Sequence, residues 1–257
     1  MGALIDSHCH FDVDAFDDDR DAVHARARQA GVIHQIVPAI DRAGWDRLGA
    51  VCAGHLDLHP AWGLHPVFLD AHVPEDLEHL EARLHADRPV AVGECGLDYF
   101  IDGLDRDLQA MYFDRQLALA RAHDLPVIVH ARRAVDAVIA ALRRHTGIRG
   151  VVHSFSGSPE QAAQLWTLGF HIGIGGPVTY ERARRLHRVV AALPPEQLLL
   201  ETDAPDQPDS AHRGQRNEPA RIRRVCEVVA GLRGESIREV ANRTTANAAR
   251  LFGLPLP

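Results

Sequence analysis

The sequence contains no lysine: all 28 of its basic residues are arginine. That absence excludes a Walker-type phosphate loop, a Schiff-base nucleophile and a carbamylated-lysine metal bridge, since each needs the lysine amine. Cysteine is scarce as well. Cys9, Cys52, Cys95 and Cys226 form neither a CxxC pair nor an even framework, a spacing that fits free thiols in a reducing compartment better than a disulfide scaffold or a thiolate zinc site. No apolar run approaches the roughly 18 to 20 residues of a membrane helix, and the opening Met1-Gly2-Ala3-Leu4-Ile5-Asp6 carries no basic region ahead of an apolar one. The expectation is a soluble, unexported, cytoplasmic protein with no membrane contact and no obligate protein partner. Net positive charge is missing too. The formal charge is −7, so a global basic coat for nucleic acid is excluded and any nucleic-acid contact must be local.

What the chain has in plenty is histidine, with 17 residues, and a hydrophobic fraction of 46%. Short aliphatic runs alternate with longer amphipathic stretches, the pattern of repeated βα units around a parallel sheet. Eight strands are predicted: Ala3–Asp6, Ile33–Pro38, Leu58–Gly63, Val90–Gly93, Pro126–Val129, Gly150–Val152, His171–Ile174 and Leu198–Leu200. Helices are predicted near 18–30, 41–54, 75–86, 105–123, 133–145, 159–168, 180–192 and 218–231, with a closing helix at 235–252. Ser158-Pro159-Glu160 supplies an N-cap followed by a first-turn proline, and Pro74-Glu75-Asp76 places acids in a first turn. The acidic run Asp17-Asp18-Asp19 reads as a solvated helix start. No segment between strands has the composition of an interdomain linker. Length and pattern together predict an α/β chain folded as a single (β/α)8 TIM barrel, one domain over 1–257. The long irregular stretch Ala204–Glu218 follows the eighth strand and is expected to lie over one end of the barrel.

Seven chemically active side chains sit at the C-terminal ends of predicted strands: His8, His10, His65, Glu94, His130, His153 and Asp203. A closed barrel brings such ends to one mouth, so residues 200 positions apart become neighbours. His8 and His10, spaced by two in an extended segment, point to the same side and can share a cation. Glu94 ends an apolar run, where an unpaired carboxylate would cost several kcal/mol, so a cation or an arginine must compensate it. A carboxylate can also bridge two cations, which an imidazole cannot. Asp203 ends another apolar run and can complete a metal shell while accepting a proton from water. This mixture of nitrogen and oxygen donors suits Zn²⁺, Mn²⁺ or Fe²⁺ better than Mg²⁺.

The same residues carry a family resemblance. Asp6-Ser7-His8-Cys9-His10-Phe11-Asp12, Gly63-Leu64-His65-Pro66, Gly93-Glu94-Cys95-Gly96-Leu97-Asp98, Val129-His130-Ala131-Arg132, His153-Ser154-Phe155-Ser156-Gly157, Glu201-Thr202-Asp203-Ala204-Pro205 and Asn217-Glu218-Pro219 occur in the order found in TatD-type metal-dependent hydrolases. The chain resembles most closely the TatD-related deoxyribonuclease branch, from Asp6 to about Leu251. Cys95 and Ala131 depart from that pattern without removing a ligand. The resemblance implies two divalent metal ions (Zn²⁺, Mn²⁺ or Mg²⁺), one held by His8, His10, Glu94 and Asp203 and the other by Glu94, His130 and His153. It also implies 3′→5′ exonuclease-like cleavage of DNA, single-stranded or at 3′ ends. Asp203 and Glu94 are the expected catalytic residues, and His65 and Arg132 are expected to bind substrate. Asp98 is expected to support the ligands, and Arg213, Arg216 and Asn217 are candidates for tracking a DNA backbone. The rival activity is hydrolysis of a small phosphoester, amide or ester, and the non-enzymatic rival is a metal-binding interaction protein.

Overall fold

The ladder of the sheet runs further than the apolar runs suggest. In the computed structural model, which describes residues 2–256, the strands are β1 (Leu4–Asp6), β2 (Val32–Pro38), β3 (Leu58–Trp62), β4 (Ala91–Asp98), β5 (Val127–Arg132), β6 (Gly150–Val152), β7 (Phe170–Ile174) and β8 (Leu198–Leu200). Thus β4 and β5 continue past the predicted ends at Gly93 and Val129, with Gly96 opposite His130 and Asp98 opposite Arg132. Backbone amides sustain pairing whatever the side chain, whereas hydrophobicity stops where the chemistry starts. Glu94 and His130 therefore lie within strands, where the backbone holds them.

Each strand pairs in parallel with the next, in the order β1 to β8. The ring is closed across β8 and β1 by Ser7 N donating to Leu200 O at 3.1 Å and Asp203 N donating to His8 O at 2.9 Å. Between and after the strands lie α1 (Arg20–Gln29), α2 (Trp45–Ala53), α3 (Glu75–Asp87), α4 (Arg106–Ala122), α5 (Val135–Arg144), α6 (Pro159–Thr167), α7 (Arg184–Ala192), α8 (Ile222–Arg233) and α9 (Ile237–Phe252). This is the (β/α)8 barrel. Among the described residues no helix is long and apolar enough to cross a membrane.

Local chemistry fixes the helix starts. Ser158 and Ser236 each form a reciprocal capping box, with Gln161 and Glu239 respectively. α7 and α8 begin later than predicted, because a turn closed by Ala183 N donating to Tyr180 O and the 3-10 turn Pro219–Arg221 occupy the predicted first residues. The predicted acidic helix start is confirmed in place, with Asp19 just before α1.

Two apolar layers hold the fold. The larger lies between strands and helices and includes Trp62, Phe113, Leu117 and Phe170. The smaller fills the barrel: Ile5, Ile36, Ala61, Ala91, Ile128, Val151 and Leu199 pack with Ala248, Ala249, Leu251 and Phe252 of α9. α9 therefore plugs one end of the barrel and leaves the other end to polar groups. All four cysteines are buried and unpaired.

Candidate metal centre

At the open end the side chains converge around Glu94, which is 1% exposed. Its oxygen Oε2 lies 3.2 Å from His8 Nε2 and 3.4 Å from His10 Nε2. Asp203 Oδ1 lies 3.5 Å from His8 Nε2 and 3.6 Å from His10 Nε2, and the two imidazole nitrogens are 3.3 Å apart. Donor atoms with tetrahedral edges of this size surround a centre about 2.0 to 2.2 Å away, which is the zinc–nitrogen and zinc–oxygen bond length. Glu94 Oε2, which faces this centre, is buried without a hydrogen bond. Burying a carboxylate oxygen unpaired is costly, so a cation at the centre is the compensation that this donor set fits.

The other oxygen of Glu94 faces a second group. Oε1 lies 2.7 Å from His153 Nε2, 2.9 Å from His130 Nδ1 and 3.1 Å from His65 Nε2. His130 Nδ1 is in turn 3.3 Å from both His65 Nε2 and His153 Nε2. One carboxylate thus presents each oxygen to a separate set of nitrogens.

His65 is placed differently from the sequence expectation. The sequence points it at substrate, yet its Nε2 stands among the second donor group, with Nδ1 accepting from Val67 N at 3.1 Å. Both faces are used: His65 also borders the cavity. The His65-Pro66 step that enters the 3-10 segment Pro66–Ala71 explains the position, because His65 is its N-cap.

The supporting polar groups hold these ligands in orientation. His130 Nε2 donates to Asp98 Oδ2 at 2.9 Å, and Asp98 Oδ1 accepts from Phe100 N and Ile101 N at 2.8 and 3.1 Å. This is the carboxylate–histidine arrangement that fixes a tautomer and raises ligand basicity. Burial disfavours the charge of Asp98, but the bonds from His130 and the two amides outweigh it and pull the carboxyl down to about 2. Sequence reasoning missed Glu201, which is fully buried beside His153, its Oε1 accepting from Ser154 N at 2.6 Å. Gly173 makes room for it: a Cβ there would meet Glu201 Oε2 at 2.2 Å. The available signal was Glu201 two residues before Asp203, an acid at the end of the same apolar run.

Three non-glycine residues at this mouth have left-handed backbones: Ser154 (φ 44°), Asp203 (φ 56°) and Gln207 (φ 49°). Each costs about 1 kcal/mol. They are tied to one another, since Ser154 Oγ donates to Gln207 Oε1 at 2.8 Å and Gln207 Nε2 donates to Asp203 Oδ2. The strain aims Asp203 into the site.

Electrostatics follow from crowding. Burial opposes the charge of Glu94, but His153, His65 and His8 outweigh it and hold the carboxyl well below the usual range. Burial pushes Asp203 up to about 6 despite His153 and His10. Burial, helped by the neighbouring His130 and His10, drives His65 down to about 4 against the pull of Glu94. Burial likewise disfavours protonated His10, but Glu94 and Asp203 reverse it and raise that ring to about 9.

A cavity of about 980 Å³ opens above the two donor groups. Arg132 lies in its wall, its guanidinium 3.6 Å over the Phe100 ring. Arg182 and Arg185, unnoticed in the sequence, border the same cavity. Two of the three candidate backbone trackers are already engaged within the protein. Arg216 is consumed by Asp19 at 2.7 and 2.8 Å and by Ala15 O at 2.6 Å. Asn217 is buried and ties the loop by donating to Thr202 O and Asp206 O, each at 2.8 Å. Arg213 is exposed outside the cavity wall. The irregular loop therefore closes on itself and on α1, because its polar groups find partners there.

Comparison with known proteins adds an independent view. Residues 5–253 match the family described as TatD related DNase. The Escherichia coli (strain K12) protein named uncharacterized metal-dependent hydrolase YjjV is 45% identical over 256 residues, covering 98% of each chain. The crystal structure of that TatD homolog superposes with a TM-score of 0.95 at 44% identity, covering 98% of each chain. The protein of Erwinia tasmaniensis named 3′-5′ ssDNA/RNA exonuclease TatD is 34% identical over 253 residues, covering 93% of this chain and 95% of its own.

Proposed function

We propose, from the premise that the chain belongs to the TatD-related DNase family and is a metal-dependent hydrolase, that it trims nucleotides from the 3′ ends of single-stranded DNA in the cytoplasm. Residues 1–257 act as one domain in this reading. The observation that carries the chemistry is Glu94, whose two oxygens face two separate donor groups. His8, His10, Glu94 and Asp203 would hold one divalent ion, and Glu94, His130, His153 and the added donor His65 the second. The nitrogen-rich set favours Zn²⁺ or Mn²⁺ over Mg²⁺. Two such ions supply a nucleophilic water at neutral pH and neutralise charge on the phosphorus-bound oxygens.

The protein's own groups do the rest. Asp203, held near 6 by burial, is suited to accept a proton at neutral pH, with Gln207 fixing its second oxygen. Arg132, braced on Phe100, donates to a non-bridging phosphate oxygen. Arg182 and Arg185 stand along the same cavity, where the next phosphates of a strand would lie, which reconciles a polyanionic substrate with an acidic chain. Phe68, 38% exposed on the cavity rim, offers a base a stacking face.

The test is digestion of 5′-labelled single-stranded DNA with Zn²⁺, Mn²⁺ and Mg²⁺ compared. A ladder shortening from the 3′ end is expected, and Arg182→Ala/Arg185→Ala should raise KM and flatten its salt dependence with little change in kcat. No DNA turnover with any metal overturns the DNA assignment. Turnover confined to small phosphoesters or amides replaces the substrate and keeps the hydrolase.

A further inference from the structure

A second histidine cluster lies away from the mouth. His24, in the middle of α1 and 7% exposed, has Nε2 2.9 and 3.0 Å from the two oxygens of Asp57. His55 and Asp57 flank Leu56 in the turn between α2 and β3, closed by Leu58 N donating to His55 O at 3.2 Å. Leu56 is fully exposed, so the turn projects its leucine outward and keeps both flanking polar groups against α1. The His55 ring sits 4.1 Å from the His24 ring, and its Nε2 is 3.9 Å from Asp21 Oδ1. Asp21 precedes His24 by one helical turn and shares its face. His24, His55 and Asp57 each offer a ligand atom within 4.8 Å of the others. None of these residues borders the cavity.

We propose that His24, His55 and Asp57, with Asp21 as fourth donor, form a separate structural site for a zinc-like divalent cation on the outer wall of the barrel. An ordinary ion pair accounts for His24 and Asp57 only. It leaves the His55 ring packed beside His24 with no role in that pair. A divalent ion uses one lone pair from each ring and both carboxylates together. Two nitrogens and two oxygens without thiolate are a donor set that zinc accepts. His24 Nε2 and Asp57 are 2.9 Å apart, within the 2.7 to 3.6 Å of donor pairs at the mouth. Asp21, with its carboxylate 97% exposed, leaves the ion a way in. Such an ion would tie α1 to the turn entering β3, so its effect is on stability and not on turnover.

Full-length protein is stripped with chelator, equilibrated with Zn²⁺ and assayed for bound metal. His55→Gln should hold one equivalent less than wild type, and the loaded variant should hydrolyse substrate at the wild-type rate. Zn²⁺ should still raise the Tm of Glu94→Ala, and that rise should disappear in Glu94→Ala/His55→Gln. Asp21→Asn, at a solvent-exposed position, should weaken Co²⁺ binding at this site without altering the Tm of the stripped protein. Equal zinc content in wild type and His55→Gln overturns the proposal, as does a Zn²⁺-induced Tm rise in Glu94→Ala that survives the His55 substitution.

Discussion

At the end of the barrel where the strands begin, Ile5, Ile36, Ile128 and Leu199 meet Leu251 and Phe252 of α9 in a dry apolar layer. At the end where they finish, Glu94, His8, His153 and Asp203 are buried with several polar atoms lacking a hydrogen bond, on a backbone strained at Ser154, Asp203 and Gln207. The same eight strands support both. The difference shows that stability and chemistry are separated along the barrel axis: the plugged end contributes hydrophobic free energy that the polar end spends on an unfavourable arrangement of charges.

That separation can be broken by exchanging its consequences. Glu94→Ala is expected to lower hydrolysis about a thousandfold or more, because both donor groups lose their shared carboxylate. Circular dichroism should show a folded barrel, and wild-type activity would refute the role. At the plugged end, Phe252→Ala should cost about 3 to 5 kcal/mol in denaturant unfolding, by lost burial and a residual cavity, while turnover per folded molecule stays at the wild-type level. A large loss of turnover there would mean that the two ends are coupled.

A gentler substitution sharpens the comparison. Asp98→Asn removes the anionic acceptor from His130 Nε2, and metal affinity or activity should fall about 10- to 100-fold, read by metal titration. Stability should change little.

The smallest effect lies at neither end. Hydrogen bonds from Arg216 and then Arg26 outweigh burial and bring Asp19 down to about 2. Because the folded value is depressed, the stabilisation is present above the unfolded carboxyl value of about 4 and is lost as pH falls toward 2. The difference in unfolding free energy between wild type and Asp19→Asn should be at most about 1 kcal/mol near neutrality, since partly exposed pairs are screened, and should fade as pH drops through about 2.

Much of this was legible in advance. The eight strands lie where β-branched and aliphatic runs are bounded by turn residues, and β6 and β8 coincide with prediction to the residue. His8, His10, Glu94, His130, His153 and Asp203 could be gathered because a parallel barrel sends every strand end to the same mouth. Asp98, by contrast, could only be suspected, since its bond to His130 depends on the register of β4 against β5. Glu201 escaped because its spacing of two from Asp203 does not say which histidine it meets, and its contact with His153 exists only in the closed ring.

The sequence by itself determined the number of βα units, the residue types at their C-terminal ends and, through the missing lysine, that no lysine carbamate can serve as a metal ligand. Only the tertiary structure decided which arginines face the cavity, that His65 joins the second donor group and that α9 stoppers the opposite end. The physical reason is separation: periodicity and motifs are local, whereas Arg216 is neutralised by Asp19 from 197 positions away, and that encounter exists only once the ring has closed.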